Sequence, residues 1–414
     1  MWIHGRVKHQ IAPSDGVDFA HASIRLSVEL GTQFTKLRAV SGSDPRQLRV
    51  VHVASGDLWA GAEAQIAQLC RALASRDDIN VAAILLNDGD LADRLRTLRI
   101  ETHVLDEQHL TPLRIYHGMV SFLRRWQPDV VHTHRLKENI LGSLAARSTR
   151  VRACLRTEHG APEHRPRSWQ IHKRALHRLD RWTAENLQQC VVAVSDELKE
   201  SLQQAYPKSN IAVIPNGIDA KAIRDAAYPP VKLAPGCIHV AFIGRLVPVK
   251  RIDVFLRAAA ELLQTGNADY RFHVIGDGPL RQELEGMRRD LQLMEVCTFH
   301  GFQHDTPRWL ASMQCMVLTS DHEGLPMTAL EALALGIPVV AHGVGGLVPL
   351  LRDHHDCRLV DRQDPAAFAQ AIRMVAMQSL PRESTPHLQD RYECDTTARS
   401  YAQLYRSLAM RSSH

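Results

Sequence analysis

The stretch CMVLTSDHEGLPMTALEALALGIPVVAHG, residues 315–343, decides how this chain is read. It opens on an apolar run of strand length, CMVLTS (315–320), and closes on another, IPVVAHG (337–343). A loop, DHEG, and a helical stretch lie between them. Strand, loop, helix and strand in that order describe a parallel unit with a crossover helix. In open parallel sheets ligands bind outside the carboxyl ends of the strands, which is where DHEG falls. Pro326 suits the first helical position, with Gly324 just upstream. The amides of Met327 and Thr328 then occupy the first turn without intrahelical partners, and a phosphate is the natural guest of such a helix start. Glu323 precedes the helix and Glu331 lies about one turn further in, so each carboxylate can accept paired hydrogen bonds from sugar hydroxyls on a different part of one molecule. Taken alone, the same residues also describe a capped helix with two ordinary acids.

The pattern repeats on both sides. Apolar runs at 48–54, 79–86, 128–134, 152–160, 190–195 and 211–217 alternate with helical spacing, as in AEAQIAQLCRALAS (62–75). A second series runs through 237–245, 270–278, 295–301, 315–320, 337–343 and 357–360. Between the two, Pro229, Pro230, Pro235 and Gly236 mark residues 216–236 as a linker. The reading is α/β: a Rossmann-like, doubly wound domain over 47–215, a second over 237–385, a central cleft, and a C-terminal helix within 386–414, near 391–409. Residues 1–46 are polar, broken by Pro and Gly, and read as a poorly ordered extension.

At 414 residues the chain is too long for one ordinary core. With 45% apolar and 23% charged residues it has the composition of a globular protein. A net charge of +5 fits an anionic small molecule or an anionic membrane surface as well as nucleic acid. The eight cysteines form no C-x-x-C pair and mostly flank apolar runs, so they read as buried reduced thiols in a cytosolic protein. The least charged stretch, 333–351, is too punctuated by Gly and Pro to span a membrane.

FIGRLVPVKRID (242–253) removes the ambiguity of the opening stretch. It follows the first strand of the second series and sets Arg245 at the strand end and Lys250 at the start of the next helix. A fork and a point charge at one strand–helix junction suit a diphosphate.

With these residues in view, the chain resembles the retaining glycosyltransferases of family 4, which have the two-domain GT-B fold. The shared marks run in the family's order: AGAE (60–63), PDVVHTH (128–134), EHG (158–160), VAVSDELKESL (192–202), IPNGID (214–219), GRLVPVK (244–250), IGDGP (275–279), the pair Glu323 and Glu331, and GIPVVAHGVGG (336–346). The resemblance covers about residues 48–380. It implies that Arg245 and Lys250 neutralise the diphosphate of a nucleotide-sugar donor, that Glu323 binds hydroxyls of the sugar, and that Glu331 holds the ribose. Gly244, Gly324, Leu325, Met327 and Thr328 would line the same pocket, Gly61 would let the first helix approach the phosphates, and His159 would stand near the sugar. Two marks depart from the family. Ala60-Gly61 replaces the usual Gly-Gly, and LVPLL follows Gly345-Gly346 where a Pro-Glu pair is common.

His134 and Glu158 are candidates on the acceptor side. His132 and His134 are read as alternating across their strand, so that at most one faces the cleft. Asn216 and Asp219 read as turn formers, and the GDG turn (276–278) as structural. Asp88-Gly89-Asp90 mimics a metal-binding D-x-D but has no second carboxylate cluster beside it. No H-E-x-x-H pattern occurs, so neither a metal nor another cofactor is expected. The basic segment 164–182, with Trp169, Leu176, Leu179 and Trp182, reads as a membrane-surface helix or as a helix with a solvated basic face. The resemblance implies a cytoplasmic transferase, peripheral on the inner face of the membrane if that segment binds lipid. It would use a saccharide or lipid-linked saccharide acceptor in cell-surface polysaccharide or lipopolysaccharide synthesis, and no nucleic acid. The rival readings are a sugar-nucleotide epimerase or phosphorylase of the same fold, or a non-catalytic sugar-nucleotide binder.

Overall fold

The structure, a computed structural model, describes residues 47–160, 171–265, 269–376 and 388–411. The proposed N-terminal extension and the first part of the basic segment lie outside the described residues. The first sheet contains β1 (Leu48–Ala54), β2 (Ile79–Leu85), β3 (Glu101–Val104), β4 (Val130–His134), β5 (Ala153–Glu158), β6 (Cys190–Ala193) and β7 (Ile211–Val213), in the order β3-β2-β1-β4-β5-β6-β7. The second contains β8 (Ile238–Ile243), β9 (Tyr270–Ile275), β10 (Cys297–Gly301), β11 (Cys315–Leu318), β12 (Val339–His342) and β13 (Arg358–Val360), in the order β10-β9-β8-β11-β12-β13. Every pairing is parallel. This is the doubly wound α/β arrangement twice over, with switch points between β1 and β4 and between β8 and β11.

The central strands are near-continuous apolar runs because helices cover both faces. The edge strand β3, ETHV, was absent from the series read in the sequence. It is four residues long, polar and partly exposed, so it carries no apolar run to detect. Residues 216–236 include a helix, Ala220–Ala226, which Asp219 caps by accepting from the Ala222 amide at 2.8 Å. The eight cysteines are free thiols, and all but Cys237 are buried.

The last helix, Cys394–Arg411, returns to the first half and buries Tyr401 and Tyr405 in a cluster with Val50, Leu73 and Val192. Another apolar cluster joins Val191, Leu198 and Ile218 to Met316, Leu325 and Leu330, so the halves share a core beside the loops that follow β6 and β11. Among the described residues no helix is long and apolar enough to cross a membrane.

Candidate active site

The loops after β8 and β11 lie side by side because those strands pair at the switch point. After β8 the chain passes Gly244 and the half-buried Arg245 into a 3-10 turn, Pro248–Lys250. Lys250 therefore stands in that turn, just ahead of the helix Ile252–Thr265. Arg251 adopts the left-handed region (φ 47°), and its guanidinium bonds Asp253 and, at 3.1 Å, Asp321 of the neighbouring loop. Thr319 Oγ1 donates to the carbonyls of Lys250 and Arg251. These contacts fix the two loops in register.

Lys250 Nζ then meets Glu323 Oε1 at 2.6 Å, and Ser320 Oγ donates to the same oxygen at 2.6 Å. The Glu323 side chain is only 7% exposed. A carboxylate offers about four lone-pair sites, so Oε2 keeps its acceptor capacity for sugar hydroxyls.

Pro326 is the cap rather than the first helical residue (ψ 129°), and the helix runs Met327–Ala334. The difference is one position, within the ordinary spread of helix ends. Its intrahelical bonds onto the Pro326 carbonyl begin with the amide of Ala329, so the amides of Met327 and Thr328 precede the first of them. Gly61 begins the helix Gly61–Ala74 in the opposite half, and a Cβ placed on it would lie 3.8 Å from Met327 Cγ. Two helix N-termini thus converge across the cleft, each with a partial positive charge. Ala60 in place of glycine is accommodated at an extended cap position (φ −140°).

Glu331 lies one turn inside its helix. Thr306 Oγ1 donates to it over 3.4 Å, and burial pushes its carboxyl up to about 7. The folded form therefore binds this proton more tightly than the unfolded chain. The resulting stabilisation is complete below the usual carboxylate range and is lost as pH rises through about 7. Glu331→Gln is expected to raise the melting temperature of the unliganded protein at mildly alkaline pH and to leave it nearly unchanged at acidic pH. Hydroxyls donating to Glu331 favour its ionised form. With Glu331 holding the ribose hydroxyls as the family resemblance implies, nucleotide-sugar affinity should rise with pH through neutrality in the parent and stay flat in the variant, as read by calorimetric titration.

The loop of residues 343–346 packs on the Glu323 loop. The Gly346 amide donates to Gly324 O at 2.8 Å, and the Gly345 amide donates to Glu197 Oε2, from the opposite half, at 2.6 Å. Gly324 itself abuts the first half: a Cβ there would come within 2.2 Å of the His159 carbonyl.

His134 and His159 do meet, His134 Nδ1 lying 3.1 Å from His159 Nε2. The expectation that His132 and His134 face opposite ways is wrong: residues two apart in a strand share a face, and their ring centroids are 4.2 Å apart, while Thr133 points to the other side. His52, opposite His132 in register, joins them, with Nδ1 3.1 Å from His134 Nε2. Among the described residues, His52, His132 and His134 are the group whose ligand atoms come near enough to one another, within 4.8 Å, to hold a metal. His132, however, is hydrogen-bonded through Nδ1 to Tyr405 OH (2.7 Å) and through Nε2 to Thr157 (2.8 Å).

Glu158 is drawn into a buried network instead of open space. Its Oε1 lies 3.4 Å from Arg156 Nη1, which also pairs with Asp180 at 2.7 Å, and burial raises the Glu158 carboxyl to about 7. Asp88 pairs with Arg96 at 2.8 Å, and Asp277 holds its own turn by accepting from the Gly278 amide.

Several contributors were missed in the sequence. Asn216, read as a turn former, donates from Nδ2 to Leu325 O at 2.7 Å and so braces the Glu323 loop from the opposite half. Arg135, in the left-handed region (φ 73°), pairs with the buried Glu63 at 2.5 Å and approaches Asp57 at 3.5 Å on the acceptor side. The one signal available for His52 was its alternation within β1, which becomes informative only once register with β4 is known.

Residues 59–222 match the family model Glycosyltransferase Family 4, and residues 238–377 match Glycosyl transferases group 1. The chain is 26% identical over 344 residues to the UDP-Gal:alpha-D-GlcNAc-diphosphoundecaprenol alpha-1,3-galactosyltransferase of Escherichia coli, covering 79% of this chain and 87% of that protein. It is 33% identical over 207 residues to the D-inositol 3-phosphate glycosyltransferase of a Nocardioides species, 45% of each chain. In fold it is similar to HepE of Anabaena, solved in complex with UDP and glucose, with a TM-score of 0.72 at 19% identity over 87% of this chain and all of that one. Two parallel sheets facing each other across a cleft, with both family models matched in order, identify the chain as a member of the GT-B glycosyltransferases, family 4 in its first half and group 1 in its second.

Proposed function

We propose that the protein transfers a sugar from a nucleotide diphosphate sugar, with a UDP or GDP carrier, to a saccharide or lipid-linked saccharide, with retention at the anomeric carbon. The observation that carries this reading is the meeting of two helix starts, at Gly61 and Met327, next to the loop that holds the Lys250–Glu323 pair. Departure of the nucleoside diphosphate builds negative charge, which Arg245, Lys250 and the amides of Met327 and Thr328 would stabilise from fixed positions. Glu323 would hold the sugar, Glu331 the ribose, and His159 would stand beside the sugar from the opposite half. These cations supply the neutralisation that a metal supplies elsewhere, so turnover is expected to survive chelation. The similar Escherichia coli enzyme is named for a UDP-sugar donor and a diphosphoundecaprenol-linked acceptor. That supports the same classes here and a setting in cell-surface polysaccharide or lipopolysaccharide assembly.

The test is binding, hydrolysis and transfer with a panel of UDP-, GDP- and ADP-sugars, with the anomeric configuration of the product read by NMR. Saturable binding of one UDP- or GDP-sugar and a retained configuration are expected. Absence of binding across the panel, or an inverted product, would overturn the reading.

The acceptor reading extends to the helix Ile171–Asn186. Its described part exposes Leu176 (40%), Leu179 (40%) and Trp182 (47%) beside the exposed Arg174, Arg178 and Arg181. An apolar strip flanked by cations suits an anionic membrane surface. Vesicles containing phosphatidylglycerol should co-sediment with the protein, less so at high salt, and phosphatidylcholine vesicles should not. Trp182→Ala combined with Arg178→Glu should abolish the difference.

A further inference from the structure

We propose that His134 and His52 are positioning residues for His159: the three rings form a hydrogen-bonded relay that decides which nitrogen of His159 carries its proton. The proposal rests on the reading above that His159 stands beside the donor sugar.

The contacts are ring to ring. His52 Nδ1 meets His134 Nε2 at 3.1 Å, and His134 Nδ1 meets His159 Nε2 at 3.1 Å. The rings lie nearly parallel and edge to edge, with centroids 5.4 Å apart and planes 11° apart for His52–His134, and 5.3 Å and 26° for His134–His159. Each end carries a buried nitrogen that has no partner among the described residues, His52 Nε2 at one end and His159 Nδ1 at the other. His132 stands outside the chain, since both of its nitrogens bond Tyr405 and Thr157.

A neutral imidazole has one donor and one acceptor nitrogen. Two proton arrangements therefore satisfy both contacts. In the first, His52 Nδ1–H donates to His134, His134 Nδ1–H donates to His159 Nε2, and His159 carries its proton on Nδ1. In the second, all three protons sit on Nε2, and His159 offers a lone pair at Nδ1. Passing from the first to the second moves one proton across each contact, releases the proton of His159 Nδ1 and takes one up from solvent at His52 Nε2, so that the net charge is unchanged. Burial holds His159 down at about 4 and His52 at about 3, so the rings stay neutral near pH 7. Without ligand each arrangement leaves one buried N–H unmet, that of His159 Nδ1 in the first and that of His52 Nε2 in the second; an oxygen of a sugar beside His159 can accept from the former, while the latter has no partner among the described residues. Orphaned buried N–H groups are the rarer case. With the donor sugar bound, the relay thus holds His159 as the Nδ1–H form, a hydrogen-bond donor toward the oxygens of that sugar.

The rings offer a discriminating pair of substitutions. In His134→Asn the side-chain amide falls near the position of Nδ1 and keeps the bond to His159. In His134→Gln it falls near Nε2 and keeps the bond to His52 alone. Long-range nitrogen–proton NMR on the full chain labelled at histidine and saturated with the donor sugar found in the panel should show His159 protonated at Nδ1 in the parent and in His134→Asn, and mixed in His134→Gln. With the donor sugar found in the panel, His134→Gln should lower kcat for donor hydrolysis by about tenfold, the loss of one neutral hydrogen bond. Donor KM should change little, and His134→Asn should recover most of the loss. Equal shifts in melting temperature for the two variants would assign the difference to the relay rather than to folding. Equal kcat losses, an unchanged His159 tautomer in His134→Gln, or loss of parent activity on chelation with recovery on zinc would overturn the proposal. His159→Ala tests the underlying reading separately: unchanged turnover there would remove His159 from the sugar site, while the tautomer result would still decide whether the relay exists.

Discussion

Lys250→Ala is expected to lower kcat by about 10²–10³-fold, the usual loss when one preorganised donor is removed from a developing charge. The geometry states why a single ammonium matters this much. Lys250 Nζ sits 2.6 Å from Glu323 Oε1, within reach of both the leaving phosphates and the acid proposed to hold the sugar. Its backbone is locked from beneath, because Thr319 Oγ1 bonds the carbonyls of Lys250 and Arg251 and the Asp321 amide bonds Val249 O. In the proposed role the ammonium would therefore meet the diphosphate without reorganisation. The same substitution leaves the Glu323 carboxylate, 7% exposed, with Ser320 as its recorded partner and without its countercharge. Glu323→Gln should cause a loss of similar order. The double variant should fall well short of the product of the two losses, since residues in contact do not act additively. Steady-state kinetics on the three variants decides the matter. Turnover of Lys250→Ala within a few-fold of the parent, or full additivity in the double variant, would show that the pair does not act together at the donor.

Gly345→Ala is expected to cost about 10²-fold in kcat/KM and roughly 2–4 kcal/mol in stability, by overpacking and left-handed strain together. Gly345 adopts φ +58°, and a Cβ on it would lie 1.7 Å from the Glu323 carbonyl oxygen. Backbone cannot yield as the end of a side chain can, so the Glu323 loop itself must move, and with it the carboxylate that meets Lys250. The control is Gly336→Ala. Gly336 is also left-handed (φ +65°), but nothing lies within 4 Å of its Cβ position. It should lose about 1 kcal/mol of stability through strain alone and keep its turnover. Equal kinetic losses in the two variants would mean that the contact with Glu323 does not position the site.

The layout of the second half was legible in the sequence because its candidate residues follow strand ends. Gly244, Arg245, Lys250 and Glu323 lie between β8 or β11 and the helix that follows, Met327 and Thr328 open the helix after β11, and both strands are apolar runs. Once the runs are read as parallel strands, their loops must gather at one end of the sheet. The acceptor half was less legible. Glu158 looked available from its place at the end of β5, yet a fully buried Arg156 two residues earlier draws it inward. Asn216 looked like turn chemistry, yet it braces the Leu325 carbonyl of the other half.

By itself the sequence determined the elements: two series of parallel strands with crossover helices, and the residues that stand at their carboxyl ends. Those properties follow from local periodicity and turn chemistry, which a short window contains. Only the tertiary structure decided which side chains touch. The pairing of Lys250 with Glu323, the entry of His52 into the histidine chain, and the return of the last helix to bring Tyr405 against His132 join residues 73, 82 and 273 positions apart. Such contacts depend on strand register and on where a helix crosses the sheet. Both are fixed by burial of the whole apolar surface at once, and no local stretch of sequence records them.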